Sequence, residues 1–413
     1  MAQVNITLTH EELIELLGGN RDEAFKHLVE RILNEALRAE SDEQLQAEQY
    51  ERTDERTDYR NGTRERQLTT RIGTLTLEVP RHRNQPFHTM LFESYQKTEI
   101  ALLVTMAEMV INGISTRKVS KVLETICGKS FSKSTVSEVC KRLDPEIHKF
   151  RNRRFEGMEY PFLMVDATYF KAMEDHKIVS KPLFIAVGFT ATGKREILYF
   201  NTYDAENDEN WLDFFHHLRD SGLKQPLMLT SDAHVSIRNA AAKVFPGTPW
   251  QRCQFHFMKN ILDAAPKAHR FGLEQELREM LHSETLKEAR ARKMSIISDY
   301  SDVAPKAIDI LEAGFEDAMT VHLLPKQMRV PLRTSNTIER INGELKRRSE
   351  VIRVFPNEAS VLRLMGAVLL EQQDKLTAKR HLFSMSAFSS ITQEDHIKLQ
   401  KLALEQHNML KAA

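Results

Sequence analysis

With 413 residues, 58 basic and 58 acidic side chains and an ordinary apolar share of 41%, the chain is long enough for two or three domains and carries no net charge. The overall balance therefore singles out no polyanionic partner, and any basic footprint has to be local. Three cysteines are too few for a disulfide framework, the first residues lack a signal-peptide pattern, and no apolar run approaches a membrane span, so the expectation is a cytoplasmic protein without a membrane partner.

In chain order, residues 1–48 are predicted helical, with Leu13, Leu16, Leu17 and then Ala24, Leu28, Ile32 and Ala36 at helical spacing. Residues 49–97 form an Arg-rich region (Arg52, Arg56, Arg60, Arg64, Arg66, Arg71, Arg81, Arg83) diluted by Asp54, Glu55, Asp58 and Glu65. Such a stretch is either a DNA-binding element or a solvated face. Tyr59-Arg60-Asn61-Gly62 reads as a turn, and the alternation after Gly73 as a short strand or hairpin.

Residues 98–150 read as short helices broken at Gly113 and Gly128. This pattern fits a helix-turn-helix but equally an ordinary helical hairpin. In the first case Ser132, Lys133, Ser134 and Thr135 open the recognition helix, where phosphates and base edges are met.

From about residue 160 the pattern turns α/β. Strands are predicted at Phe162–Val165 (ending at Asp166), Leu183–Phe189, Glu196–Phe200, Leu227–Thr230 (just before Asp232) and Trp250–Phe255. Helices carry Trp211 to Leu218 and Ile237 to Val244, residues 257–330 are almost wholly helical, and a further helix starts near Asn336. The succession resembles a ribonuclease-H-like core, residues 151–256 and 331–413, interrupted by a helical insertion at 257–330 and preceded by helical regions that are candidate DNA-binding domains.

Two acids, Asp166 and Asp232, fall at the carboxyl ends of predicted strands, where loops converge on ligands in open α/β sheets. Converging carboxylates suit Mg²⁺, with Mn²⁺ as a substitute, and a pair of such ions about 3.5–4 Å apart can activate an attacking oxygen and stabilise a leaving one. The bland alternative for Asp232 is a helix N-cap. For Glu339 it is a capping box, since Asn336-Thr337-Ile338-Glu339 has that spacing, and periodicity does not decide between cap and ligand. Glu339, Asn342, Gly343 and Lys346 share one helix face, and Arg340, Lys346, Arg347, Arg348 and Arg353 form the clearest basic stripe, suited to phosphates or simply solvated. Cys253 and His256 form half a zinc site or a buried structural pair. His234 is a phosphate or supporting contact or a helix-start residue. Trp211 is a core residue, with stacking on an extruded base as the sharper alternative.

Several blocks in combination resemble the Mutator-type family of bacterial insertion-sequence DDE transposases over nearly the whole chain. They are Tyr59-Arg60-Asn61-Gly62, Val79-Pro80-Arg81, Gly113-Ile114-Ser115-Thr116-Arg117, Val165-Asp166-Ala167, Glu209-Asn210-Trp211, Ser231-Asp232-Ala233-His234, Trp250 to His256 and Arg333 to Asn342, the last continuing to Lys346-Arg347-Arg348 and Phe355-Pro356-Asn357. The resemblance implies that Asp166, Asp232 and Glu339 are the catalytic, metal-binding DDE residues, with His234, Cys253 and His256 in support. It implies Mg²⁺-dependent cleavage at terminal inverted repeats of an insertion sequence, joining of the 3′-hydroxyl to target DNA, and a homodimer or larger assembly at the bacterial nucleoid. Candidate contacts to double-stranded DNA are Arg60, Asn61, Arg81, Arg117, Ser132, Lys133, Ser134, Arg252, Arg340, Asn342, Lys346, Arg347 and Arg348. The chain departs from the family in two places: His234-Val235-Ser236-Ile237 stands where His-x-Gly-Leu is usual, and no Trp occurs near Glu371–Leu376. The rival readings are a DNA-binding regulator without chemistry and a nuclease that cuts without joining.

Overall fold

A computed structural model describes residues 14, 21–70, 72–89, 91, 100–127 and 131–412. Leu13, Leu16, Leu17, Arg71 and Gly128 lie outside the described residues. The fold is mixed α/β and divides into two compact units, residues 1–142 and 143–413. Among the described residues no helix is long and apolar enough to cross a membrane.

In the first unit, helix α1 (Arg21–Leu45) packs on an antiparallel hairpin, β1 (Arg60–Thr70) and β2 (Gly73–His82). The alternation of β2 puts Leu75, Leu77 and Val79 on one face, where they bury against Leu37 and Leu68. Asn34 ties helix to strand by accepting the Glu78 N–H at 2.8 Å. The predicted turn at Tyr59–Gly62 is instead the irregular start of β1. Its register shifts between Arg60 and Thr63, and Gly62 takes φ +76°, a left-handed value that suits glycine at a bulge. Three helices follow, α2 (Ile100–Ile111), α3 (Thr116–Cys127) and α4 (Lys133–Lys141). Gly113 ends α2 with φ +81°, and Ser132 caps α4 by accepting the Thr135 N–H at 3.1 Å.

The second unit opens with α5 (Asp144–Arg151) and is built on five strands, β3 (Phe162–Glu174), β4 (Lys177–Phe189), β5 (Arg195–Thr202), β6 (Met228–Ser231) and β7 (Trp250–Arg252). Their spatial order is β5-β4-β3-β6-β7, with β5, β4 and β3 antiparallel and β3, β6 and β7 parallel. Helices α6 (Asp208–Asp220) and α7 (Val235–Val244) cover one face, burying Trp211, Phe214, Phe215 and Ile237 against Leu163, Val165, Phe184 and Leu229. Trp211 is fully buried and stacks on Phe184 at 3.9 Å, so it is a core residue and not a platform for an extruded base. Between β7 and helix α13 (Asn336–Ser349) lie α8 (Gln254–Ala264), α9 (Arg270–Leu281), α10 (Leu286–Tyr300), α11 (Pro305–Ala318), a short 3₁₀ turn and α12 (Lys326–Leu332). The first four of these helices share their own apolar cluster around Phe257, Leu277, Leu311 and Phe315. Three more helices, α14 (Glu358–Ala378), α15 (Met385–Ser389) and α16 (Gln393–Ala412), complete the unit.

Two strand boundaries differ from expectation. Asp166 does not end β3, which continues to Glu174 because β4 pairs with it through a two-residue turn, Asp175-His176, both at positive φ. What stops beside Asp166 is the parallel pairing to β6, whose last partner in β3 is Met164. β7 ends at Arg252 and not Phe255, because Cys253 is already the N-cap of α8.

Candidate active site

The parallel strands deliver two acids to one end of the sheet. Asp166 lies in β3 two residues beyond Met164, the last position paired with β6, and Asp232 follows directly on β6. Asp166 Oδ1 accepts the Ala167 N–H at 2.9 Å and Oδ2 accepts the Asn342 side-chain amide of α13 at 2.8 Å. Burial, then the charge of Asp232, pushes the Asp166 carboxyl up from 3.8 to about 7; Glu339 adds to the rise, while the Ala167 N–H and His256 oppose it. Asp232 is not the N-cap of α7, which is His234; its Oδ1 instead accepts the His234 N–H at 3.1 Å, an arrangement that sets the carboxylate's orientation.

Glu339 enters from the first turn of α13. The capping box offered by spacing does not form: the N-cap is Ser335, and its hydroxyl donates to Glu339 Oε1 at 2.7 Å without accepting a backbone N–H. Glu339 is thus held by a side chain at the helix start, with its carboxylate 3.9 Å from His256 Nδ1. The Ser335 hydroxyl also lies 3.2 Å from Cys253 Sγ, and the Ser335 N–H donates to the same sulfur at 3.3 Å. Cys253 is completely buried. His256 is raised to about 9, first by the Cys253 side chain facing it and then by Glu339 and Asp232, against the effect of burial.

The structure thus gathers Asp166, Asp232, Glu339, Cys253 and His256 around one end of the sheet. Asp166, Asp232 and Glu339 are the carboxylates that could hold divalent metal. Among the described residues no Lys or Arg pairs within 4.0 Å of Asp166 or Asp232; the charge of His256 eases their repulsion without cancelling the rise at Asp166. Oxygen donors in excess of protein cations are the donor set a hard divalent ion prefers. His234 sits beside them, its Nδ1 3.8 Å from Glu206 Oε1.

Sequence reasoning missed the residues that hold these groups in place. Asn342 is buried and bonded to Asp166, so its expected role as a DNA contact is revised. Its position one turn after Glu339 was the available signal. Glu206 was also missed: it accepts from Tyr169 OH at 2.5 Å and from Trp211 Nε1 at 3.2 Å. Nothing in the spacing pointed to it, because it lies in the loop between β5 and α6.

The remaining DNA-contact candidates divide. Asn61, Arg81, Arg117, Ser132, Lys133, Ser134, Arg340, Lys346 and Arg347 are exposed, Arg347 in a pair with Glu344. Arg348 is buried between Glu344 and Glu371, which removes it from the basic stripe. Arg60 is turned inward to Asp42 and the carbonyls of Ala47 and Glu48. Arg252 lies partly buried with its guanidinium 4.7 Å from the centre of the Phe257 ring.

The sequence matches the family model described as "Transposase, Mutator family" over residues 1–379. It is 39% identical to the transposase for insertion sequence element IS256 in transposon Tn4001 of Staphylococcus aureus, over 91% of this chain and 97% of that protein. It is 38% identical to the transposase for insertion sequence element ISRM5 of Rhizobium meliloti, over 95% of this chain and 96% of the relative. A transposase for insertion sequence element IS1081 of Mycobacterium tuberculosis is 32% identical over 92% of each chain. The chain belongs to the Mutator family of transposases.

Proposed function

We propose that the chain binds the terminal inverted repeats of an insertion sequence, cleaves DNA strands at its ends and joins the freed 3′-hydroxyl to target DNA, using Asp166, Asp232 and Glu339 as one metal site. The observation that carries this reading is the convergence of those carboxylates at one end of the sheet, where burial first and then the charges of Asp232 and Glu339 push Asp166 up to about 7 against the charge of His256. The strand order β5-β4-β3-β6-β7, antiparallel then parallel, supports a ribonuclease-H-like core, with the helices between β7 and α13 as an insertion within it.

Mg²⁺ (or Mn²⁺) held by the three acids would activate a water or 3′-hydroxyl and stabilise the leaving oxygen of a phosphodiester. The protein's own part is positioning. Asn342 and the Ala167 N–H fix both oxygens of Asp166, the His234 N–H fixes Asp232, and Ser335 fixes Glu339. Hydrolysis and strand joining are both in-line displacements at phosphorus, so one site can serve both. Arg340 and Lys346, exposed on the helix that carries Glu339, are suited to the phosphate backbone nearby. The helix start at Ser132–Ser134 in the first unit is suited to terminal-repeat recognition. Pairing two DNA ends calls for a homodimer or larger assembly.

The test supplies labelled terminal DNA, target DNA and Mg²⁺ to the full chain. Terminal cleavage followed by a joined product is expected. Binding without cutting would make the chain a regulator, and cutting without joining would make it a nuclease.

A further inference from the structure

We propose that Cys253, His256 and Glu339 form a second, thiophilic metal site that takes one zinc-class ion and competes for Glu339. The Cys253 sulfur, a ring nitrogen of His256 and a carboxylate oxygen of Glu339 all lie within 4.8 Å of one another. Tetrahedral zinc, with sulfur at about 2.3 Å and nitrogen or oxygen at about 2.0 Å, needs its ligand atoms roughly 3.3–3.6 Å apart. His256 Nδ1 and Glu339 Oε1 are already 3.9 Å apart and no ligand pair exceeds 4.8 Å, so side-chain movements on the order of an ångström close the set. Cys253, the N-cap, and His256 stand three residues apart in the first turn of α8, and Glu339 comes from the start of α13. Ser335 joins the two helix starts through its contacts to both Cys253 and Glu339.

The chemistry of this donor set differs from that of the two aspartates. Asp166 and Asp232 offer oxygen alone, which suits Mg²⁺, whereas a thiol and an imidazole select softer ions such as Zn²⁺, Cd²⁺ and Co²⁺. Binding replaces the Cys253 S–H bond by a metal–sulfur bond, and the proton leaves to solvent. The fourth position is left to water, because the cluster offers three protein ligands. Cys253 has no exposed surface, but the His256 and Glu339 side chains are 29% and 31% exposed, so the ion has an entry from their side. An ion seated here draws Glu339 toward sulfur and away from the aspartates. Its inhibitory consequence rests on the strand-transfer reading above; the site itself does not.

The experiment titrates the full-length chain with Co²⁺ in the absence of DNA. A sulfur-to-cobalt charge-transfer band rising to one equivalent per chain is expected, unchanged in Cys140→Ser and Cys127→Ser and lost in Cys253→Ser. Loss of a hydrogen-bonding partner to a ligand alone weakens metal sites by about 10–100-fold. His256→Gln and Glu339→Gln, which remove ligands outright, should therefore weaken Co²⁺ binding at least about tenfold. Absence of the band, or its survival in Cys253→Ser, overturns the site. Zinc-edge X-ray absorption on the unmutated protein guards against a misfolded variant: one sulfur with nitrogen and oxygen neighbours is expected, and no sulfur, or two, overturns the site. In cleavage assays with Mg²⁺ in excess, Zn²⁺ should inhibit the unmutated chain at one equivalent. Inhibition that only tracks bulk Zn²⁺, with the band present, would overturn the competition for Glu339 and leave the site. A chain that shows the band but never cuts DNA refutes the strand-transfer reading alone.

Discussion

Replacing Asp166 by Asn should stabilise the metal-free protein while abolishing its activity, and the gain should depend on pH in a defined direction. A buried carboxyl raised from 3.8 to about 7 ionises less readily in the folded chain than in the unfolded one. Its ionisation therefore opposes folding: stability falls as pH rises from the unfolded value through about 7 and is level above it. The full penalty is on the order of 4 kcal/mol above about pH 8 and roughly 2 kcal/mol at about pH 5. Asparagine escapes both. Its carbonyl can accept the Ala167 N–H, and its amide can donate to Asn342 Oδ1, which has no hydrogen-bond partner, once the Asn342 amide turns over. Denaturant unfolding of the unmutated and Asp166→Asn chains in a chelator, at about pH 5 and about pH 8.5, should show the variant more stable by about 2–3 kcal/mol extra at the higher pH. Adding Mg²⁺ at the higher pH should stabilise the unmutated chain and leave the variant nearly unchanged. A variant destabilised equally at both values would refute the reasoning, because Asp166 would then act as an ordinary structural carboxylate.

Other outcomes follow from the same geometry. Asn342→Leu should keep the fold, as measured by circular dichroism, yet lower strand cleavage by roughly tenfold or more, the scale on which losing a partner to a metal ligand acts. Trp211→Ala should cost about 3–5 kcal/mol in denaturant unfolding, since it empties the stack between α6 and the sheet. Arg348→Ala should destabilise by on the order of 3 kcal/mol, because Glu344 and Glu371 lose their buried partner, with little change in the salt dependence of DNA binding. The exposed Arg340→Ala and Lys346→Ala should do the reverse, each lowering the slope of log affinity against log salt by about 0.9 where a phosphate contact is lost.

Much of this was legible in the sequence where one residue type has one physical use. The alternation in β2 and the apolar runs of β3 and β6 gave strands, and the packed periodicity of residues 257–330 gave helices. Asp232 was placed at a strand end because a short buried strand leaves little choice. Asp166 was misread as a strand terminus because the ladder that prolongs β3 comes from β4, and the signal for it is the turn at Asp175-His176, not the run before Asp166. Glu339 was undecidable from spacing, since a capping box and a site acid share the same first-turn position. The Ser335 hydroxyl, which donates to Glu339 and accepts no backbone N–H, excludes the capping box alone. Arg348 and Asn342 looked like surface residues by type, and their burial depends on partners about 23 and 176 positions away in the chain.

The most direct measurement is single-turnover strand cleavage of labelled terminal DNA with Mg²⁺ by the unmutated chain and by Glu339→Gln, which keeps size and helix propensity but removes the charge. The variant should bind terminal DNA with near-normal affinity and cut it at least about a hundredfold more slowly, the scale on which losing a charge-stabilising group acts in catalysis. Cleavage by Glu339→Gln at the unmutated rate would contradict this role for Glu339.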